Sequence, residues 1–253
     1  MISPDLEHSL LKLGIKRTDV VMIHGDAIVS RQLNLNNTKK KFLELYIDML
    51  IEFFKPGGTL IVPSFSYNIS AKKIFDKERT PSKIGMFSES FRKKANVVRS
   101  NHPIFSVCSI GKYSKRFLRY NLNDCFGQNS FFDVFTKLNG KIICMGCPLE
   151  EITYFHYIEQ KMNVNYRFKK TFLCAYKEKK KERKIRISYF VRDLNRKSSL
   201  NLKFLRPKIR DIINISKFGR FEFTSLESKK LLKKSKILLK HYPNILIGEK
   251  NAI

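Results

Sequence analysis

The sequence predicts an α/β fold in which helices cover a mostly parallel or mixed sheet, and three observations predict it. Short apolar, β-branched runs alternate with amphipathic segments through residue 161. Gly and Pro punctuate the ends of those segments, as in "FKPGG" at 54–58 and "MGCP" at 145–148. Polar residues gather just after the strands, where open α/β sheets place their ligand sites.

Taken in order, residues 4–13 read as a short helix and "DVVMIHGD" (19–26) as a buried strand that ends at His24 and a polar loop. The stretch 37–55 predicts an amphipathic helix, capped by Asn37 or Thr38 and stopped by "PGG". Strands follow at 59–65, 105–111 and in "KIICMG" (141–146), with helices at 86–94 and 113–120. Beyond residue 170 the character changes. "TFLCAY" (171–176) and "IRISYFV" (185–191) predict two strands joined by a solvated basic turn, "KEKKKERK" (177–184). A helix near 206–215, the strand "GRFEFTS" (219–225) and a helix over 226–240 complete an α+β portion. The expected division is therefore a catalytic core over 1–170 and a C-terminal portion over 171–253, either separate or fused into one domain.

The formal charge is +28, from 50 Lys+Arg against 22 Asp+Glu, a field that attracts anions. The basic residues are spread along the chain without a nucleic-acid recognition motif, so a nucleic-acid partner is not expected. No apolar run approaches the roughly 18–20 residues of a membrane span, and the acid-bearing first helix does not resemble a signal peptide. Five cysteines, an odd number lying mostly in apolar segments, indicate reduced thiols and a cytoplasmic protein. Cys144 and Cys147 form a C-x-x-C without a second pair, so no metal is expected.

The segment "EITYFHYIEQ" (151–160) carries the most chemistry. His156 and Glu159 at i, i+3 share one helical face, so the carboxylate can reach the imidazole. A position in the first turns of a helix disfavours imidazolium and leaves a neutral ring able to take a proton. On this segment alone the alternative is a structural histidine beside the apolar stripe of Phe155, Ile158 and Met162.

The stretch 63–106 decides between them. Its order of Phe75-Asp76, Thr80-Pro81-Ser82, Gly85, Glu89, Phe91-Arg92, Arg99-Ser100-x-His102-Pro103 and Ser106 resembles the aminoglycoside 3-N-acetyltransferase family. The resemblance begins at "DVVMIHGD" and continues through "GQNSFFDVFTKLNGKIICMGC", the T-x-x-H-x-x-E of residues 153–159 and "VNYRFKKTF", covering roughly residues 19–172. It implies a three-layer α/β/α fold with a central mixed sheet, and acyl transfer from acyl-coenzyme A, as co-substrate, to a primary amine on a sugar. It implies that His156 is the base and Glu159 its orienting partner. Thr153 is then a candidate for the oxyanion or thiolate, or a helix cap. His24, Gly25 and Asp26 stand where the family presents backbone amides to coenzyme A, though Gly25 and Asp26 replace its small hydroxyl residues. Ser100 and Ser106 are further candidates for the coenzyme. Asp76, Glu89 and His102 are candidates for the acceptor pocket, and Arg92 and Arg99 for phosphate or for structural ion pairs. No cysteine stands in a catalytic position, so direct transfer is expected. The partners are small molecules; the oligomeric state, a homodimer among the alternatives, stays open.

Three acceptor readings follow: a nucleotide-linked amino-deoxysugar, an aminoglycoside, or a basic nucleic-acid binder without catalysis. The intact His156 and Glu159 oppose the third. The excess of bases over acids favours the anionic nucleotide sugar over a polycationic aminoglycoside.

Overall fold

The computed structural model describes residues 2–33, 42–178 and 181–249. Its central feature is a seven-stranded sheet in the order β4-β5-β2-β1-β6-β10-β9. These strands are β1 (Val20–Gly25), β2 (Thr59–Pro63), β4 (Val98–Arg99), β5 (Val107–Gly111), β6 (Lys141–Met145), β9 (Asn214–Phe218) and β10 (Phe221–Glu227). The middle three, β2, β1 and β6, run parallel, and the flanking strands pair antiparallel, so the sheet is mixed as expected.

Period-2 alternation divides the core into two layers. Val21, Ile23, Leu60, Val62, Ile143 and Met145 face one side, where α1 (Pro4–Lys12), α2 (Phe42–Phe54) and α3 (Met86–Arg92) bury their apolar stripes. Met22, Ile61, Ile142 and Cys144 face the other. That side is covered by α4 (Phe131–Lys137), α5 (Tyr154–Met162) and α7 (Ser228–His241). The result is the three-layer α/β/α arrangement that the resemblance implies.

A second sheet has the order β3-β7-β8, from β3 (Ile74–Phe75) and the long hairpin of β7 (Arg167–Glu178) and β8 (Lys181–Arg192). Tyr189 on β8 packs edge-on against Phe105 and Phe126, which fixes the base of the hairpin beside α5. Three expectations are corrected here. The basic run 177–184 is not one long turn, because the strands continue to Glu178 and resume at Lys181; residues 179–180 lie outside the described ones. The stretch 113–120 forms only a 3₁₀ turn, Ser114–Leu118. The helix near 206–215 is a single turn, α6 (Leu205–Lys208), then a 3₁₀ turn over Arg210–Ile212, before β9 begins at Asn214. The cap expected at Asn37 or Thr38 lies outside the described residues. The boundary expected at 170 and 171 falls within β7, and β10 pairs with β6 in the central sheet.

Hydrogen bonds fix the seat of α5 as well as its packing. The Tyr154 hydroxyl lies 2.7 Å from Thr136 Oγ1 on α4 and donates to the Ser228 carbonyl at the start of α7. The Tyr157 hydroxyl donates to Asp133 Oδ1 at 2.8 Å. Burial opposes ionisation of Asp133, yet the Asn129 N–H, Lys137 and Tyr157 hold its pKa down to about 2. Tyr157→Phe removes one donor to an ionised, largely buried carboxylate that keeps its other donors. It should destabilise the fold by about 1.5–2 kcal/mol, the lower part of the range for bonds to charged groups. Urea unfolding with an unchanged m value checks this.

Candidate active site

The parallel strands β1, β2 and β6 end on the same edge of the sheet, and their ends enclose a cavity of about 480 Å³. His24, Gly25 and Asp26 line it from β1, Pro63 from β2, and Gly146 and Cys147 from the turn after β6. Asp26 caps the following 3₁₀ turn by accepting the Ile28 N–H at 3.0 Å. His24 is buried, and that burial lowers its pKa to about 4, so the ring is neutral near pH 7. Thr153 reaches this cavity at the N-terminus of α5, and its side chain makes no capping hydrogen bond.

His156, one turn further along α5, lines a different cavity of about 790 Å³. Glu150 and His156 face this second cavity, whereas Glu151 and Thr153 face the first. The segment 150–156 therefore forms part of the wall of both cavities. The His156 Nδ1 lies 2.7 Å from Glu159 Oε2, and the side chains are 21% and 0% exposed. With the proton on Nδ1, the ring donates to the carboxylate and presents Nε2 as an acceptor. The expected pairing of His156 with Glu159 is present in the geometry.

Arg167, which the sequence singles out for no role, completes the group. Its Nε lies 2.7 Å from the same Oε2, a charge contact without good hydrogen-bond alignment. Its side chain is 4% exposed. It stands in "VNYRFKKTF", but in a chain with 50 Lys+Arg one more arginine carries no signal.

The remaining candidates stand apart from this pair. Arg99 is buried, with Nη2 donating to the Ser64 carbonyl at 2.6 Å, Nε to Ser106 Oγ at 3.1 Å, and Nη1 to the Lys77 and Thr80 carbonyls. Burial pulls its pKa down to about 10. Ser106 donates in turn to the Ser64 carbonyl, and Ser100 Oγ bonds the Tyr120 hydroxyl and accepts the Val107 N–H. Arg92 grips Glu89 with two bonds, of 2.7 and 2.8 Å, and donates to the Glu78 carbonyl. Hydrogen bonding to Arg92 is the main reason the Glu89 pKa falls to about 2. Asp76 accepts the N–H groups of Glu78 and Arg79 within its own turn. His102 is buried, accepts two N–H groups on Nδ1, and has its pKa lowered to about 3 by that burial. These residues tie the 63–106 segment together.

A third cavity, of about 940 Å³, shares Asp26, Ala27 and Met86 with the strand-end cavity and adds Arg31, Lys93 and Lys94. Among the described residues, no helix is long and apolar enough to cross a membrane.

Known proteins share this fold. Aminoglycoside N(3)-acetyltransferase III of Salmonella sp is 21% identical over 173 residues, 61% of this chain. The match spans 58% of that curated relative's length. The crystal structure of aminoglycoside acetyltransferase AAC(3)-IVa superposes with a TM-score of 0.74 at 21% identity, over 97% of this chain and 92% of the other. AAC-IIIb gives 0.75 at 18% identity, over 95% and 97%. The sequence profile of the family described as aminoglycoside 3-N-acetyltransferase matches residues 34–239, well over half of the sequence, so the chain belongs to that family.

Proposed function

We propose that this protein transfers an acyl group, acetyl in the first instance, from acyl-coenzyme A to a primary amine of an aminoglycoside-type amino sugar. The observation that carries the reading is the His156–Glu159 pair, placed one helical turn from Thr153 on a segment that borders both cavities. The related AAC-IIIb structure contains coenzyme A, and an AAC(3)-IVa variant contains a gentamicin.

On this reading the thiol arm of the donor lies in the strand-end cavity beside His24, Gly25 and Asp26. Its anionic end extends toward Arg31, Lys93 and Lys94, of which Lys93 also pairs with Glu89 and Lys94 with Asp48. The acceptor occupies the cavity of His156. A protonated amine has no lone pair for attack, so the neutral amine is held and His156 Nε2 takes a proton as the C–N bond forms. The C–S bond then breaks, and the imidazolium returns the proton to the departing thiolate. Thr153 is suitably placed to donate to the oxyanion. Base assistance of this kind contributes about 10²–10⁴-fold.

The charge argument for a nucleotide-linked sugar loses its footing at the site. Arg92 and Arg99, the proposed phosphate ligands, are engaged with Glu89, Ser106 and backbone carbonyls. The acceptor cavity instead holds Glu150 and Asp193. Each has one oxygen bonded to a backbone N–H, of Leu202 and Asn195, which leaves the other for an ammonium group. Lys170 and Arg192 line the same cavity, and Arg192 donates to Ser199.

His156→Asn should lower kcat by about 10²–10⁴ with acceptor binding largely kept. Near-normal turnover in a folded variant removes the residue from the mechanism. Glu150→Gln and Asp193→Asn should each raise the KM of a polyamine sugar by about 5–30-fold while sparing kcat, the loss of one ground-state ion contact. The acceptor class is tested by kcat/KM for an aminoglycoside, a nucleotide-diphospho amino sugar and the free amino sugar, with one donor at one salt concentration. The aminoglycoside should be preferred; a preference for the nucleotide sugar restores the alternative.

A further inference from the structure

The Glu159 carboxylate serves an imidazole and a guanidinium from one oxygen. Oε2 is 2.7 Å from His156 Nδ1 on the same helix and 2.7 Å from Arg167 Nε on β7. Glu159 has no solvent exposure, and its Oε1 has no hydrogen-bond partner among the described residues. The neighbouring Tyr166 hydroxyl is pushed toward higher pKa by burial first and by the charge of Glu159 second. A carboxylate in this setting, facing histidine alone, would draw a proton onto the ring, because a buried anion strongly favours an adjacent cation. An imidazolium cannot act as a base.

We propose that Arg167 is a positioning residue for the reaction: it anchors Glu159 and balances its charge, so that the carboxylate orients His156 without converting it to imidazolium. The inference rests on the reading of His156 as the base. Other charged or titratable groups face the ring across the cavity. They are Lys170 on β7, Tyr189 and Arg192 on β8, Asp193 just beyond β8, and Glu150 before α5. None of these five makes an ion pair with the Glu159 carboxylate. Among the described residues, Arg167 alone joins a fixed positive charge to the atom that holds the ring. Its Nη1 also donates to the Phe190 carbonyl at 3.4 Å, which ties the guanidinium to β8.

The test combines turnover with a measurement that needs no turnover. Arg167→Met should move the acidic limb of the kcat/KM profile to higher pH by about one unit or more, and Arg167→Lys should reverse most of that shift. NMR titration of the His156 ring nitrogens in the substrate-free protein, assigned by their loss in His156→Asn, should move in the same direction. An unmoved titration in folded Arg167→Met reduces Arg167 to a structural role and overturns the proposal. If Arg167→Met does not fold, Glu159→Gln is compared with Glu159→Gln/Arg167→Gln, which removes both buried charges together and should be better tolerated. The ring should titrate about one unit higher in the double variant than in the single one, and equal midpoints overturn the proposal. Failure of the base reading would appear separately, as turnover retained in His156→Asn, while the ring titration still reports on Arg167.

Discussion

Glu159 is fully buried, and an ionised carboxylate without water must be compensated by the protein. That constraint links the parts of the molecule around it. Arg167 is the first residue of β7, so compensating Glu159 brings the second sheet against α5. The aromatic contacts of Phe126 with His156 and of Tyr189 with Phe105 and Phe126 close the same junction from the apolar side. The hydroxyls of Tyr154 and Tyr157 hold the other side of the helix to α4 and α7. The orientation of one imidazole is thus set by contacts from the second sheet, from the connections that carry Phe105 and Phe126, and from three helices.

The central sheet was legible because its buried strands are short β-branched runs bounded by Gly and Pro. The His156–Glu159 pair was legible because i, i+3 spacing is a geometric statement about one helix. What escaped has physical reasons. In β9 the pattern runs against hydrophobicity: Ile215 is exposed while Ser216 is buried and donates to the Ser9 carbonyl. A strand whose inward residue is a satisfied serine looks like no strand at all. The outer half of the hairpin projects beyond the core, so Lys181–Lys184 are exposed on both faces and read as a turn. Arg167 and Asp193 reach the His156 cavity only through tertiary folding, from positions without a local pattern.

Net charge proved a poor guide to the site for a related reason. A total of +28 describes the far field, which steers encounter, but recognition depends on the few charges left free within a cavity. Arg99 sits below the surface with its donors directed at carbonyl oxygens, and the Arg92 guanidinium matches the fork of Glu89. Both are anchors of the 63–106 segment. Arg92, Glu89, Arg99 and Ser106, which carry part of the family resemblance in this stretch, thus spend their polar atoms on one another and on backbone carbonyls.

The two cavities meet at the first turn of α5. That turn is the positive end of the helix dipole. The same end favours negative charge, which is what develops on the carbonyl oxygen when an amine attacks a thioester. On the proposed reading Thr153, at the helix N-terminus with a hydroxyl not committed to capping, borders the donor's cavity, and His156 borders the acceptor's. On that reading the amine reaches the thioester directly, with no covalent intermediate on the protein, beside the one helical turn that borders both cavities. The strand-end loop proposed for the thiol arm and the buried carboxylate behind the histidine both arise from the parallel centre of the sheet and the helix that follows β6.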